Sequence, residues 1–200
     1  YPEAPDRLAN IFAACNRAGN PDRPVAFTSF SKITWPGGGV AAMAASPRNI
    51  ARQAAIMTYQ QVCHDKMNQL RHVRFFPDLA AVQAHMARQA ELLRPKFQLV
   101  LDALERDLTG IATWSRPRGG YFICFRAPRG CAARIVELCA QAGVTLTPAG
   151  AAFPGGVDPA HRVLPIAPPY PPLTELAQVM ELFPVAVKLA ALEAGYHLPD

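Results

Sequence analysis

The chain has 200 residues, of which 50% are hydrophobic and 18% are charged, and its formal net charge is +5. This hydrophobic content is enough for a packed core, which excludes a disordered chain. The basic residues are spread along the sequence, which argues against a nucleic-acid partner, and no apolar run is long enough to span a membrane. Five cysteines without a CxxC pair argue against a disulfide framework and predict a cytoplasmic location.

Two features of the whole sequence predict that the chain is part of a larger protein or assembly. The charged fraction is below the value of about 25% that is typical of soluble domains, which indicates surface covered by a second copy or by a missing domain. The chain begins at Tyr1 and not at a methionine, which favours a start partway through a longer gene product.

The first sixty residues combine helical periodicity, short apolar runs and strong turn signals. Ser46 and Pro47 are typical of a helix N-cap followed by proline in the first turn. Gly19 and Asn20 supply the end of an earlier helix. The predicted order is a helix over 8–18, a buried strand over 24–28, a polar loop over 29–32, a turn over 35–39, a strand over 40–45 and a helix over 47–60.

The rest of the chain predicts an α+β arrangement. Its longest apolar stripe begins at Pro77 and runs to about Leu104, and a kink or break is expected at Pro95. A last helix begins near Leu173 and bends at Pro184. Between these helices the pattern predicts strands over 111–114 and 121–125, a helix over 131–142, and strands over 144–147 and 163–167.

The side chain with the clearest chemical potential is Lys32. It follows a predicted buried strand and stands beside the hydroxyls of Ser29 and Ser31. A lysine held at a strand end can lose solvent, which lowers its pKa and frees the amine to form an imine with an aldehyde. The hydroxyls and nearby backbone N–H groups suit a phosphate. Taken alone, a lysine is more often a solvated surface charge.

Five segments of the sequence resemble class I/II aminotransferases of pyridoxal-phosphate (PLP) fold type I. The first contains the Ser-x-Ser-Lys signature of that group. Together they are most similar to the MocR-like branch, which is often labelled alanine–glyoxylate aminotransferases. The segments are Thr28–Thr34, Asp65–Phe75, Pro117–Phe122, Gly143–Pro154 and Ile166–Pro168.

The resemblance implies an α/β fold and covers the C-terminal half of such an enzyme. Residues 1–60 would form the tail of the doubly wound large domain that binds PLP, residues 61–76 an interdomain or interface segment, and residues 77–200 a complete α+β small domain. It also implies a homodimer, the cofactor pyridoxal 5'-phosphate, and an amino acid and a 2-oxo acid as substrates.

The resemblance assigns roles to four residues near the lysine loop. Lys32 would be the Schiff-base lysine and the base that moves a proton during catalysis. Ser29, with Ser31 beside it, would contact the phosphate. Asn68 would belong to a segment that approaches the cofactor of the partner subunit, or else be a capping or turn asparagine.

Two positions depart from the family pattern. Many aminotransferases have a phosphate-clamping arginine seven residues after the lysine, where this chain has Gly39. An arginine that would grip the substrate carboxylate is expected directly before Ile166, where this chain has Pro165. Arg162 is the nearest substitute for substrate binding, although an offset of three along a strand places its side chain on the opposite face. Its alternative is a solvated loop arginine.

The other candidates carry less chemistry. His64, His72 and His85 lack the partners and spacing of a metal site and are interpreted as surface or interface histidines. Trp35 is either a wall of the cofactor pocket or an anchor between domains. Two functions remain beside a transaminase: a non-catalytic truncated or decayed homologue acting as a dimerisation or regulatory module, and a PLP lyase.

Overall fold

The computed structural model describes residues 8–35 and 37–199, so Pro36 of the predicted turn and the start of the predicted domain 1–60 lie outside it. The chain divides into two compact units, and the division falls between Arg88 and Gln89. Within the described ranges, no helix is both long enough and apolar enough to cross a membrane.

The N-terminal unit contains a short pair of strands and four helices whose starts are capped by side chains. Asn10, Ser46, Asp65 and Asp78 each accept a hydrogen bond from the backbone N–H three residues later. The elements are α1 (Ile11–Arg17), β1 (Ala26–Ser29), β2 (Ala41–Ala44), α2 (Pro47–Gln60), α3 (Lys66–Phe75) and the start of α4 (Leu79–Leu108).

Strands β1 and β2 are antiparallel, and Ser29 pairs with Ala41. The prediction that the first strand is buried is wrong, because three of its four residues are exposed and Phe27 is 78% exposed. Among the described strands β1 pairs only with β2, so the two strands form a sheet too small to bury them.

The C-terminal unit packs two long helices and a shorter one against a three-stranded antiparallel sheet of order β3-β4-β5. Phe125 of the sheet meets Phe183 of the last helix edge to face at 5.1 Å. The core is formed mainly by Phe97, Val100, Leu104, Leu108, Ile123, Phe125, Ile135, Leu164, Met180, Phe183 and Val187. The elements are the rest of α4, β3 (Thr113–Trp114), β4 (Ile123–Arg126), α5 (Ala132–Gln141), a 3-10 turn (Pro154–Gly156), β5 (Val163–Ile166) and α6 (Leu173–Glu193).

Two sequence predictions differ from this fold. The strand predicted over 144–147 is wrong, because the backbone N–H of Val144 bonds to Cys139 O at 2.8 Å and closes the end of α5 with Gly143 in the left-handed conformation. Helix α4 continues through Pro95, which is exposed, so the helix does not break there, and a kink at this proline stays a prediction. The segment 61–76, predicted to link the domains or to lie at an interface, contains helix α3, and its role stays a prediction.

Candidate active site

The turn that carries Lys32 is fixed by its own backbone. Phe30 N donates to Val40 O at 2.8 Å, which extends the pairing of β1 and β2 by one bond. The carbonyl of Phe30 then accepts from Ile33 N and Thr34 N, both at 2.9 Å. Lys32 is therefore near the middle of a closed turn at the end of β1, where its side chain is exposed.

The two serines beside Lys32 are also exposed, and Ser31 packs against a glycine backbone. A Cβ added to Gly39 would overlap the Ser31 hydroxyl and would lie 3.1 Å from the Ser31 Cα. A Cβ added to Gly38 would overlap the indole of Trp35. The chain returns this close to the lysine turn only because both positions are glycine.

Asn68, in the first turn of α3, reaches the same glycine backbone. It is 9% exposed, and its Nδ2 donates to Gly38 O at 2.8 Å and to Gly39 O at 3.4 Å. Its Oδ1 is buried without a hydrogen-bond partner among the described residues. This geometry favours the turn asparagine of the two alternatives, since both amide hydrogens are used on carbonyls, and its role toward a cofactor stays a prediction.

Two histidines bond to the residues that follow Lys32. His72 is 7% exposed, and its Nε2 lies 3.1 Å from Thr34 Oγ1 while its Nδ1 lies 2.9 Å from Asn68 O. His85 places its Nε2 2.8 Å from Ile33 O. His72 is buried, so it is not a surface histidine of this unit, and both rings pack against the lysine turn. The surface interpretation of half-buried His85 and the interface alternative for both residues stay predictions.

Aromatic rings surround these histidines. Trp35 stacks on His72 with ring centroids 4.8 Å apart and meets Phe75 edge to face at 5.8 Å. Phe30 contacts His72 at 5.6 Å and Phe76 at 5.9 Å. We refer to Phe30, Trp35, His72, Phe75, Phe76 and His85 as the aromatic cluster. Trp35 therefore packs among the rings that contact the lysine turn.

The predicted substrate residues belong to the C-terminal unit. Pro165 is in β5 opposite Cys124, and Arg162 directly precedes that strand. The Arg162 carbonyl accepts from Ala127 N at 2.8 Å, while its side-chain Nε is buried without a partner among the described residues. A simple solvated loop arginine would not bury this nitrogen, and the substrate-binding role of Arg162 stays a prediction.

The start of β5 is held by a buried carboxylate. Asp158 is 4% exposed, and its oxygens accept from Ala160 N at 2.9 Å, Arg162 N at 2.6 Å and Val163 N at 2.7 Å. Burial alone would raise the pKa of this carboxyl, but the three backbone N–H groups prevail and hold its pKa below the usual value. Asp158 thereby orders the backbone on either side of Arg162.

Three residues that contact the lysine turn or belong to it, Thr34, His72 and His85, were not predicted to be part of this site. Asn68 and His72 are four residues apart, which places them on one face of a helix. That spacing was the available signal, but it requires α3 to be recognised first. Asn68 reaches the glycine backbone beside Ser31 and the lysine turn, whereas Arg162 and Pro165 are in the other unit. The roles of all these residues stay predictions.

Comparison with known proteins places this geometry in a family. The model of the aspartate amino-transferase family matches residues 1–197. An aspartate aminotransferase of Corynebacterium glutamicum is 40% identical over 195 residues, which cover 96% of this chain and 44% of that protein. The crystal structure of an aspartate transaminase from Corynebacterium glutamicum has a TM-score of 0.87 at 39% identity, with coverage of 94% of this chain and 45% of that chain.

A more distant structure has the same fold. The crystal structure of the α-aminoadipate aminotransferase of Thermus thermophilus, solved with N-(5'-phosphopyridoxyl)-L-leucine, has a TM-score of 0.80 at 21% identity. The match covers 95% of this chain and 48% of that chain. The chain therefore spans less than half the length of the relatives that it matches. The predicted resemblance and fold class are confirmed: the chain belongs to the aspartate amino-transferase family and has the fold of aminotransferases of PLP fold type I.

Proposed function

We propose that this chain carries the cofactor lysine of a PLP-dependent aminotransferase, which moves an amino group from an amino acid to a 2-oxo acid, and that Lys32 is this lysine. The observation that carries the proposal is the contrast within one turn. Lys32 is exposed, whereas Phe30, Ile33, Thr34 and Trp35 on either side are partly buried. The backbone of the turn is held by hydrogen bonds, while the side chain of Lys32 is exposed.

The residues around Lys32 fit the chemistry of PLP, which has an aldehyde and a phosphate. The amine suits the aldehyde, and the hydroxyls of Ser29 and Ser31 are donors for phosphate oxygens. Gly39 has no side chain of its own, which allows the Ser31 hydroxyl to lie directly against its backbone. Asn68 fits less directly because its amide hydrogens already bond to carbonyls.

Each residue has a separate task in this proposal. Lys32 would hold the cofactor through its aldehyde and would act as the base that moves a proton at the substrate α-carbon. Ser29 and Ser31 would donate hydrogen bonds to the phosphate. When bound, PLP supplies the electron sink that stabilises the carbanion at the α-carbon.

The relatives suggest the first substrate to test. Proteins named aspartate aminotransferase and aspartate transaminase are 40% and 39% identical to this chain, so aspartate is our proposed amino donor. A homodimer in the cytoplasm completes the proposal. The exposed apolar side chains of Tyr59, Met67 and Val73 on α2 and α3 support a partner surface, and the free thiols of all five cysteines suit a reducing compartment.

Pro165 favours a second candidate function. Proline offers no guanidinium for a substrate carboxylate, so a protein that binds PLP without efficient transamination is the alternative. The two candidates share the lysine chemistry and differ in turnover. Activity with amino acids, measured after cofactor binding has been established, separates them.

Reduction with borohydride tests the proposal directly. The natural polypeptide that contains these residues is incubated with PLP, reduced, digested and mapped by mass spectrometry. The expected result is a pyridoxyl group on Lys32 that disappears in Lys32→Ala and persists in Lys66→Ala, since Lys66 is an exposed lysine of the same unit. Modification of other lysines with Lys32 untouched would refute the assignment.

A further inference from the structure

The lysine turn is held from two different helices by histidines that the proposed chemistry does not use. His72 of α3 contacts the side chain of Thr34, and His85 of α4 contacts the backbone carbonyl of Ile33. These are the two residues that directly follow Lys32. Both helices begin at a side-chain cap, Asp65 and Asp78 respectively, so their first turns are well anchored.

The partners of the two rings fix which nitrogens carry a proton. Carbonyl oxygens only accept, so Nδ1 of His72 donates to Asn68 O and Nε2 of His85 donates to Ile33 O. The Thr34 hydroxyl donates to Phe30 O at 3.1 Å, and the same oxygen lies 3.1 Å from His72 Nε2. Thr34 therefore links His72 to the carbonyl that also accepts from the backbone N–H groups of the lysine turn.

The aromatic cluster limits the freedom of both imidazoles. His72 lies between Trp35, at 4.8 Å, and Phe30, at 5.6 Å, which come from the two ends of the lysine turn. His85 lies against Phe75 at 5.5 Å and Phe76 at 5.4 Å. Each imidazole is thus held by ring packing as well as by its hydrogen bonds, and the turn has rigid neighbours on both helices.

We infer that His72, through Thr34, and His85, through the Ile33 carbonyl, are positioning residues that fix where the Lys32 amine can reach. This inference rests on the proposed function, because it gives the two histidines a role only if Lys32 binds the cofactor. A lysine side chain has four rotatable bonds, so the place of its backbone decides whether the amine meets the aldehyde. Displacement of a reacting group by about 1 Å can slow a reaction by up to about 100-fold.

Matched variants separate positioning from simple packing. Thr34→Val removes one hydroxyl at constant shape, and Thr58→Val is its control, because Thr58 bonds to Ala54 O on α2 of the same unit. His85→Leu removes the donor to Ile33 O, whereas His85→Gln keeps an N–H at a similar reach. The measured quantity is the rate at which borohydride traps a pyridoxyl group on Lys32 in the natural polypeptide.

We expect trapping to slow by about tenfold or more in Thr34→Val and His85→Leu, and by less than about twofold in Thr58→Val and His85→Gln. Labelling of Lys32 by acetic anhydride, a small reagent that needs no alignment, should change by less than about twofold in all four, because the amine itself is unaltered. Circular dichroism confirms that each variant is folded. If His85→Leu does not fold, Thr34→Val still decides the matter.

The outcomes also separate this inference from the proposed function. Absence of any adduct on Lys32 in the unchanged protein overturns the proposed function. An adduct on Lys32 that forms equally fast in Thr34→Val and in the unchanged protein overturns the positioning role alone. A parallel loss of trapping and of acetylation would likewise overturn it, because the variants would then have altered the amine and not its place.

Discussion

Replacement of Pro165 by arginine is the most informative test of how the substrate carboxylate is proposed to bind. Both backbone groups of the paired residue Cys124 bond to Ser115: Cys124 N donates to Ser115 Oγ at 2.9 Å, and Ser115 N donates to Cys124 O at 3.0 Å. Pro165 is therefore in a non-hydrogen-bonded pair, and its nitrogen faces away from β4 at the edge of the sheet. An arginine there breaks no ladder bond.

The new side chain would also not enter the core. Leu164 and its partner Phe125 are buried on the core face of the sheet. Side chains alternate along a strand, so position 165 faces the opposite side, as does Cys124, and both are only partly buried. Pro165→Arg should therefore change the free energy of unfolding by less than about 1 kcal/mol.

The expected gain in activity comes from one bidentate contact. A guanidinium that grips a carboxylate in a water-poor site contributes about 1.5–3 kcal/mol, which corresponds to about 10- to 150-fold in kcat/KM. We expect Arg162 not to supply the same contact, because its carbonyl continues the ladder to Ala127 and the alternation of faces then places its side chain on the opposite side of the strand.

The assay compares Pro165→Arg, Pro165→Lys and Arg162→Ala in the natural polypeptide, with aspartate and two other amino donors. Lysine offers charge without the planar fork, so it should recover only part of the gain. Arg162→Ala should change kcat/KM by less than about threefold. If Arg162→Ala abolishes activity while Pro165→Arg gives no gain, Arg162 is the carboxylate anchor and our assignment of faces in β5 is wrong.

Four further predictions concern cofactor binding, stability and thiol chemistry. The 200-residue polypeptide alone should show no saturable PLP absorbance change at micromolar concentrations, because β1 and β2 are largely exposed; a tight, lysine-dependent band would contradict this. Lys96→Met should lower the free energy of unfolding in urea by about 1–3 kcal/mol, because the Nζ of Lys96 bonds two proline carbonyls, and Lys66→Met should not. The pKa of Asp158 is lowered in the fold, so its stabilisation is present above the unfolded value of about 3.9 and is lost as pH falls further. Asp158→Asn should thus lower the Tm at about pH 7 and have little effect at about pH 2, and an equal effect at both would refute this. Burial raises the pKa of Cys139 to about 11, so a thiol reagent at about pH 8 should modify exposed Cys63 first, as peptide mapping would show.

Local signals in the sequence predicted the elements whose ends depend on one or two residues. Ser46 and Pro47 begin α2 as expected, and Gly19 adopts the left-handed conformation after α1. Helix α3 was missed for a physical reason. Its apolar residues Met67 and Val73 are exposed, so periodicity of apolar residues gives no signal for its buried face.

The lysine site was predictable only in part. The strand, the serines and Lys32 are consecutive in sequence, so the resemblance and the local pattern indicate them together. The support of the turn is not consecutive: His85 contacts a residue 52 positions away, and His72 one 38 positions away. Contacts of this kind depend on how α3 and α4 pack, which no local pattern specifies.

The two departures from the family pattern have different physical meanings. A Cβ at position 39 would overlap the Ser31 hydroxyl and lie 3.1 Å from the Ser31 Cα, so a side chain there requires that hydroxyl to rotate away and the adjacent backbone to shift slightly. Glycine at position 39 therefore suits the close packing of Ser31. At Pro165 an arginine would meet no such contact, because the nitrogen of residue 165 faces the sheet edge and its side chain faces away from the core. The first departure is therefore compatible with the proposed cofactor binding, and the second bears on the proposed turnover.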